Sequence, residues 1–272
     1  MIHSVRYDES NRDYHKDTQF VSCSGFKKFL ECPALYPAYL RKQEEKQEEK
    51  ADLGTLSHAA WLERERFAKE YVHIKGPMNK NPFKKEADEA KESGLIPVGG
   101  TDYKNVMGMV ASLDRDPDAS ELLKRGKQEV SVRWFDDTTG VPMKCRFDTV
   151  IMEMGIAGDL KTFNSVTERA VQKQIVRMQY EIQTAWYLRG LSEIVGERTN
   201  KFVHLFVMTE DPWLVIPYAL DDASIERADL DVRDGLVRFA ACLDSNTWPA
   251  PLPGVRSISL PDYKFAYEGE IA

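Results

Sequence analysis

The chain has 272 residues, of which 42% are hydrophobic and 30% charged, and a formal net charge of −7 at pH 7. This composition is typical of a globular protein with a sizeable core. The absence of a long apolar run argues against a transmembrane span, and the polar N-terminal sequence argues against a secretory signal peptide. We therefore expect a cytoplasmic protein with no membrane association.

Charge and cysteine spacing bear on the ligands that the protein could bind. The net charge of −7 is not the basic footprint usual in nucleic-acid-binding proteins. A basic channel on an acidic body would still fit, because metal-binding carboxylates themselves add negative charge. The cysteines Cys23, Cys32, Cys145 and Cys242 form no CxxC pair, which favours reduced thiols over a zinc site, a disulfide framework or an iron–sulfur cluster.

The first half of the chain is predicted to be mainly helical. Ser22 or Ser24 can cap a short helix, and residues 52–71 have the apolar periodicity of one longer helix. Residues 75–100 are polar and rich in Lys and Glu. Their segment KKEADEAKESG is typical of an exposed helix or a mobile flap. A further helix is predicted over residues 103–124.

The second half begins with three predicted strands. EVSVRWF and PMKCRFDTVIME alternate between apolar and polar residues on either side of the turn sequence DDTTG, which predicts a hairpin. The stretch GIAGDLKTFNSV supplies the third strand. The remaining predicted elements are a helix over 166–191 with Ser165 and Glu168 as a capping box, strands over 201–210 and 213–220, and a helix over 224–245. This order predicts an α/β (α+β) fold with a central mixed β-sheet flanked by helices.

The third strand carries an acid and a base on one face. Asp159 and Lys161 are two residues apart and therefore point the same way. Asp148 lies on the preceding strand, close enough for the two carboxylates to share a Mg²⁺ or Mn²⁺ ion, since these ions prefer oxygen ligands. Lys161 could then orient a water and stabilise charge on a phosphate. The alternative is a structural ion pair between Lys161 and Asp159.

Further polar residues could join this pocket. Glu129 opens the neighbouring strand and offers a third carboxylate. Gln183 and Tyr187 are four residues apart on one helix face, with Tyr180 a turn earlier. A glutamine on a core face needs a partner, whereas Tyr187 fits a core role as well as a functional one. His58 is a lone helix histidine, which is more often structural than a ligand.

These residues carry a resemblance to a known family. Asp148, followed eleven residues later by Asp159-Leu160-Lys161, resembles the signature of the PD-(D/E)XK nuclease superfamily. Phe147 stands where the motif has proline, and the cysteines of the iron–sulfur branch are absent. Five motifs in the same order resemble the exonuclease VIII (RecE-type) proteins of phages and prophages, and the likeness extends from about residue 20 to 250: GTLSHAAWLE, EVSVRW, CRFD, DLKT and YEIQTAWY.

The resemblance implies a restriction-endonuclease-like core in a single domain, residues 1–272. A helical part would cover about 20–125 and the catalytic core about 126–250. It also implies a site, in which Lys161 is the catalytic lysine. The implied metal-binding residues are His58, Glu129, Asp148, Asp159 and the Leu160 carbonyl; the implied DNA-binding residues are Gln183 and Tyr187 of a QxxxY motif with Tyr180, and Lys80, Lys84 and Lys85 are candidate phosphate contacts that also fit a solvated charge run.

The implied function is that of a Mg²⁺-dependent exodeoxyribonuclease, with Mn²⁺ as a substitute. It would degrade linear double-stranded DNA in the 5′→3′ direction and leave single-stranded 3′ overhangs for recombination. Such proteins form homo-oligomeric rings around the duplex and work with a single-strand annealing protein, here in the bacterial host cytoplasm if the chain is phage-encoded. Two alternatives remain open: a structure-specific or nicking endonuclease of the same fold, and an inactive nuclease fold that serves as a DNA-binding or assembly module.

Overall fold

The computed structural model describes residues 2–45, 52–76 and 79–260. Its strands and helices are interspersed along the chain, and a 3-10 turn (Met152–Met154) precedes the seventh strand. The strands are β1 (Ile2–Arg6), β2 (Val21–Ser22), β3 (Tyr71–Ile74), β4 (Ile96–Gly99), β5 (Lys127–Phe135), β6 (Pro142–Ile151), β7 (Ile156–Phe163), β8 (Lys201–Met208) and β9 (Val215–Tyr218). The helices are α1 (Asn11–Lys16), α2 (Cys23–Glu31), α3 (Leu35–Glu45), α4 (Leu53–Leu62), α5 (Arg64–Glu70), α6 (Asn81–Glu92), α7 (Gly100–Arg115), α8 (Pro117–Arg125), α9 (Glu168–Met178), α10 (Tyr180–Val195) and α11 (Asp222–Ser245).

The main sheet is mixed, as the sequence predicts. Its strands lie in the order β1-β5-β6-β7-β8-β9, and β2 adds a short parallel pairing to β6. Neighbours from β1 to β7 are antiparallel, β7 and β8 are parallel, and β9 is antiparallel to β8. The parallel step needs a crossover, which α9 and α10 provide. The described residues also form a second, two-stranded parallel sheet from β3 and β4.

The predicted β5–β6 hairpin is confirmed. Eight residue pairs join the two strands, from Lys127 opposite Val150 to Phe135 opposite Pro142. The connecting turn is held by Asp136, whose carboxylate accepts hydrogen bonds from the backbone N–H and the hydroxyl of Thr139, at 2.9 and 2.8 Å. These side-chain bonds, common for aspartate in turns, add to the backbone bonds from Asp136 N–H to Val141 O and from Gly140 N–H to Asp136 O. The hairpin brings Glu129 and Asp148 onto neighbouring strands.

Helices cover both faces of the sheet. On one face α2, α10 and α11 form an aromatic core in which Phe26, Trp186 and Phe239 are fully buried. On the other face α4, α7 and α8 pack Trp61 and Met109 against the sheet. The sheet is therefore the middle layer of the fold, and its central strands β6 and β7 are shielded on both sides. No helix among residues 2–45, 52–76 and 79–260 is long and apolar enough to cross a membrane.

Three of the predicted helices are each two helices. The predicted helix over 52–71 breaks at Glu63, and the one over 103–124 breaks before Pro117. Pro117 lacks an N–H and disfavours the helical conformation at Asp116, which instead caps α8 by accepting a hydrogen bond from Ala119 N at 2.9 Å. The predicted helix over 166–191 breaks at Gln179, which adopts a left-handed conformation with φ of 52°.

The predicted capping box and the predicted helix in the polar segment 75–100 have different outcomes. The capping box at Ser165 and Glu168 is wrong, because the N-cap of α9 is Thr167 and it makes no side-chain cap bond. Ser165 lies two residues before the N-cap, and Glu168 instead accepts a hydrogen bond from Gln172 at 3.2 Å. The polar segment 75–100 does contain the predicted helix. This helix, α6, packs on the β3–β4 sheet, a pairing that the sequence analysis did not predict.

An N-terminal segment, residues 2–20, lies along the β5–β6 hairpin. Arg133 of β5 is fully buried and donates hydrogen bonds to Asp17 and Glu9 at 2.6 and 2.7 Å. Lys144, its register partner on β6, donates to the backbone carbonyls of Tyr14 and Asp17. Buried cations need such partners, so these contacts fix the segment beside the sheet.

The cysteines Cys23, Cys32, Cys145 and Cys242 are free thiols, as predicted.

Candidate active site

The site lies where β6 and β7 separate. Antiparallel pairing between these strands runs from Ile151 opposite Ile156 to Thr149 opposite Gly158 and stops there. Asp148 and Asp159 are the next pair in this register. The Asp148 carboxylate instead accepts a hydrogen bond from the backbone N–H of Leu160 at 2.7 Å. The separation opens a cavity of about 420 Å³ with Asp148 and Lys161 in its wall.

Three side chains from different elements converge in this cavity. His58 comes from α4, Glu129 from β5 and Asp148 from β6, and each offers one ligand atom within 4.8 Å of the others. Glu129 has a φ of 53°, which is uncommon for a residue other than glycine and is often found at functional sites. Its neighbours Gln128 and Val130 still pair with β6. The strained residue therefore lies directly opposite Asp148 in the register.

His58 is oriented by the backbone of β7. Its Nε2 lies 3.0 Å from the Leu160 carbonyl oxygen and its Nδ1 lies 3.5 Å from Asp148 Oδ2. A proton on Nε2 makes the bond to the carbonyl and leaves the Nδ1 lone pair beside the carboxylates. Burial lowers the pKa of His58, which favours the neutral ring that binds metals. A histidine that donates its other N–H to a carbonyl is a usual arrangement for a metal ligand.

The carboxylates of this cluster hold more negative charge than their basic neighbours offset. Burial, followed by the charge of Asp148, raises the pKa of Glu129 to about 7, against the opposing effect of Arg146. Burial and the charge of Asp159 raise the pKa of Asp148, against the opposing effect of Lys161. Two carboxylates and a neutral imidazole are a suitable donor set for Mg²⁺ or Mn²⁺. The residues present therefore fit a divalent cation.

Asp159 has a different environment. Its Oδ1 accepts a hydrogen bond from Gln183 Nε2 at 2.6 Å, its Oδ2 forms an ion pair with Lys161, and His204 Nδ1 lies 3.8 Å from Oδ2. Burial alone would raise the pKa of Asp159, but Lys161 and His204 hold it well below its usual range. The Lys161 ammonium also lies 4.9 Å from the ring centroid of Tyr180. The negative charge of Asp159 is thus offset by the ion pair with Lys161 and by the hydrogen bond from Gln183.

The helix residues predicted to bind DNA lie beside this pair. Gln183 is only 8% exposed and has found its partner in Asp159. Tyr187 lines the cavity and packs edge-on against Phe147 and Phe202, at 5.4 and 5.6 Å between ring centroids. Tyr180 also lines the cavity. The break at Gln179 lets α10 begin at the site and present these three residues to it.

The predicted phosphate contacts lie elsewhere. Lys84 and Lys85 belong to α6 and Lys80 is its N-cap residue, and all three are exposed. Lys85 lies 3.7 Å from Glu89 of the same helix. None of the three is among the described residues that line the cavity.

Sequence reasoning missed two charged or polar residues of the site. Arg146 is partly buried on β6 and forms an ion pair with Glu129. It lies two residues before Asp148 and so shares its strand face, a spacing that could have identified it. His204 lies on β8 as the register partner of Asp159. Its only sequence signal is a polar residue within the apolar strand KFVHLFVM.

A mixed sheet between helical layers, with Asp148 on one strand and Asp159-Leu160-Lys161 on the next, defines a fold of the PD-(D/E)XK nuclease type. Residues 22–254 match the family model described as "PDDEXK-like domain of unknown function (DUF3799)". The chain belongs to this family. The resemblance to exonuclease VIII within the superfamily stays a prediction.

A solved structure agrees with this assignment at the level of the fold. A crystal structure described as "Putative exonuclease" from Eubacterium rectale is 14% identical, with a TM-score of 0.55 over 96% of this chain and 97% of that one. At this identity the likeness concerns the fold alone. The crystal structure of SSO0001 is 17% identical over 79% of this chain and 85% of its own, with a TM-score of 0.30 that is too low to indicate a common fold. No curated protein matches the chain.

Proposed function

We propose that the protein is a metal-dependent exodeoxyribonuclease that degrades linear double-stranded DNA. The observation that carries the proposal is the cluster of His58, Glu129 and Asp148 beside the Asp159–Lys161 pair. It combines a donor set for a hard divalent cation with a lysine at the wall of the same cavity. Hydrolysis of a phosphodiester needs both, because negative charge develops on the phosphate and a water must be oriented to attack it.

Each side chain has a role in this proposal. His58, Glu129 and Asp148 hold the cation, with Asp159 and the Leu160 carbonyl at its edge. A bound Mg²⁺ supplies Lewis acidity and lowers the pKa of a coordinated water. Lys161, whose side chain is 15% exposed, reaches from Asp159 into the cavity, orients the attacking water and stabilises charge on the phosphate. Mn²⁺ substitutes for Mg²⁺, since both accept the same oxygen ligands.

The substrate and its handling are proposed from the resemblance to exonuclease VIII. Digestion runs 5′→3′ and leaves 3′ overhangs for recombination, a homo-oligomeric ring surrounds the duplex, and a single-strand annealing protein takes the product. Gln183, Tyr180 and Tyr187 position the DNA beside the metal. Lys80, Lys84 and Lys85 contact phosphates farther along the duplex. Native mass spectrometry tests the ring.

The decisive experiment compares linear and closed circular DNA. Linear duplex DNA labelled at one 5′ end is incubated with the protein in Mg²⁺, and separately in EDTA, with closed circular duplex and Asp148→Asn protein run alongside. The proposal predicts Mg²⁺-dependent loss of linear DNA, early release of the 5′ label, intact circles and no digestion by Asp148→Asn.

The same assay separates the alternatives. Cut circles would show an endonuclease that uses the same site. DNA binding without hydrolysis of either substrate, in Mg²⁺ and in Mn²⁺, would show that the fold serves as a DNA-binding or assembly module.

A further inference from the structure

His204 is a buried histidine next to the Asp159–Lys161 ion pair. Its side chain is 1% exposed, and its position on β8 is opposite Asp159 on β7 in a parallel register. Its Nδ1 lies 3.8 Å from Asp159 Oδ2, and neither atom has a hydrogen-bond partner in the described structure, although Oδ2 forms its ion pair with Lys161. Buried polar atoms are rarely left without a hydrogen bond, because the hydration lost on burial is then not compensated.

The hydroxyl of Thr184 decides which tautomer of His204 is present, and therefore whether Nδ1 can donate a hydrogen bond to Asp159 Oδ2. His204 Nε2 lies 2.9 Å from Thr184 Oγ1, which lies 3.0 Å from the Tyr180 carbonyl. If Thr184 donates its proton to the carbonyl, Nε2 carries the ring proton and the Nδ1 lone pair faces a carboxylate. If Thr184 donates to Nε2, the ring proton is on Nδ1 and a slight rotation makes a bond to Asp159. Only the second arrangement gives both Nδ1 and Oδ2 a hydrogen bond, and it requires the Thr184 hydroxyl to turn to Nε2 from the Tyr180 carbonyl, to which it donates in the structure.

We propose that His204 is a positioning residue that, as the Nδ1–H tautomer, donates a hydrogen bond to Asp159 Oδ2. Gln183 already holds the other carboxylate oxygen, so the two donors together fix the plane of the carboxylate. Lys161 is anchored to Oδ2 and therefore depends on this orientation for its place in the cavity. The role in hydrolysis rests on the proposed function; the hydrogen bond does not.

The surroundings of the ring make it possible to test the donor separately from the packing. The imidazole contacts three aromatic rings, those of Tyr180, Phe202 and Phe206. His204→Phe keeps an aromatic ring there but removes the donor. His204→Asn keeps an N–H near the position of Nδ1, whereas His204→Gln places it near that of Nε2. The control is His73→Phe, because His73 stacks on Tyr103 at 4.1 Å in the β3–β4 unit.

The first readout is enzymatic. We expect His204→Phe and His204→Gln to lower kcat by about 10–100-fold, the usual loss when the partner of a metal-site group is removed, with KM for DNA unchanged. His204→Asn should recover most of the rate, and His73→Phe should match the wild type. Equal losses in all three His204 variants, or wild-type kcat in His204→Phe, would overturn the positioning role.

The second readout needs no activity. Nitrogen-15 NMR of the metal-free protein, with His204→Asn to assign the signal, should show His204 protonated on Nδ1; protonation on Nε2 alone overturns the hydrogen bond. Calorimetric titration with Mn²⁺ should show weaker binding by His204→Phe and recovery in His204→Asn. If the wild type hydrolysed no DNA, the proposed function would fail, and these two measurements would still decide whether His204 holds Asp159.

Discussion

Asp148 and Asp159 are neighbours on adjacent strands, yet their environments shift their pKa values in opposite directions. Asp159 is surrounded by donors, and its pKa lies well below the usual range despite its burial. Asp148 is also buried but shares its surroundings with Glu129 and Asp159, and its pKa is raised. Its one backbone donor, Leu160 N–H, does not compensate for this.

The difference assigns different tasks to two chemically identical side chains. Environment, and not residue type, decides which carboxylate stays ionised. We propose that Asp159, already neutralised, serves to hold Lys161 in place. Glu129 pairs with Arg146, yet the pKa values of Glu129 and Asp148 remain raised, so in this proposal the divalent ion lies mainly on their side of the cavity. The comparison therefore separates a proposed lysine-anchoring side from a proposed metal-binding side.

Removing the lysine tests the first side and should have the largest effect. We expect Lys161→Ala to fold and to lose at least about 100-fold in kcat, because a group that stabilises developing charge is gone. The control is Lys27→Ala, since Lys27 also lies over the Tyr180 ring, at 5.5 Å, but is not on the wall of the cavity. Steady-state digestion of linear DNA measures both. A Lys161→Ala protein that digests DNA at the wild-type rate would remove the central role proposed here.

Gln183 tests whether Asp159 needs its second donor. Gln183→Leu leaves Asp159 Oδ1 buried without a partner, which should reduce the free energy of unfolding by about 1–3 kcal/mol and lower kcat. The matched control is Gln172→Leu, because Gln172 is exposed and its side chain donates a hydrogen bond to Glu168 on the same helix, α9. Urea denaturation compares the two variants. Equal stability of both would show that Oδ1 does not depend on Gln183.

Lowering the pH should weaken metal binding by the cluster of His58, Glu129 and Asp148. With its pKa raised from 4.5 to about 7, Glu129 is protonated in the metal-free protein below pH 7. A cation must then displace this proton and that of Asp148, whose pKa is also raised, so Mn²⁺ affinity should rise with pH and level off only when both carboxylates are ionised. Calorimetric titration from pH 5.5 to 8 measures the slope. A flat profile would contradict the raised pKa.

The sign of the accompanying stability change follows from the same shift. The folded metal-free protein binds the Glu129 proton more tightly than the unfolded chain, so this contribution to stability is complete below pH 4.5 and is lost as the pH rises through about 7. Glu129→Gln should flatten both profiles. The charged and titratable groups around Glu129 that act on this profile are Asp148, Arg146, His58 and Glu63.

Much of the site was predictable because side chains alternate between the two faces of a β-strand, so that residues two apart point the same way. The two-residue spacing of Asp159 and Lys161, and the hairpin that places Glu129 opposite Asp148, follow from the alternation of side chains in β-strands. The need of Gln183 for a buried partner was also apparent, although its identity was not. The mixed sheet followed from the order of the elements.

Other features depend on contacts between segments far apart in the chain. The β3–β4 pairing and the burial of Arg133 under Glu9 and Asp17 have no local signal. The tautomer of His58 depends on a carbonyl about one hundred positions away. Two of the helix breaks differ in their sequence signal: Pro117 disfavours a helical conformation at the residue before it, whereas the left-handed conformation of Gln179 has no compositional sign.

The smallest expected effect has the opposite sign to the others. Asp148→Asn removes a charge from beside Glu129 and Asp159, and its amide oxygen can still accept the hydrogen bond from Leu160 N–H. At pH 8 without metal, we expect the variant to be more stable than the wild type by about 1 kcal/mol, close to one pKa unit. At pH 5 the gain should shrink, because the wild-type carboxyl is then protonated.

Thermal or urea unfolding at both pH values, with and without Mg²⁺, tests this expectation. Because the proposed function has Mg²⁺ bind the folded wild type, Mg²⁺ should stabilise the wild type and leave Asp148→Asn unchanged. An Asp148→Asn protein less stable than the wild type at pH 8 without metal would contradict the excess of negative charge. A stable but inactive variant would show that Asp148 is retained at a cost to the metal-free fold, as expected for a side chain whose partner is a cation.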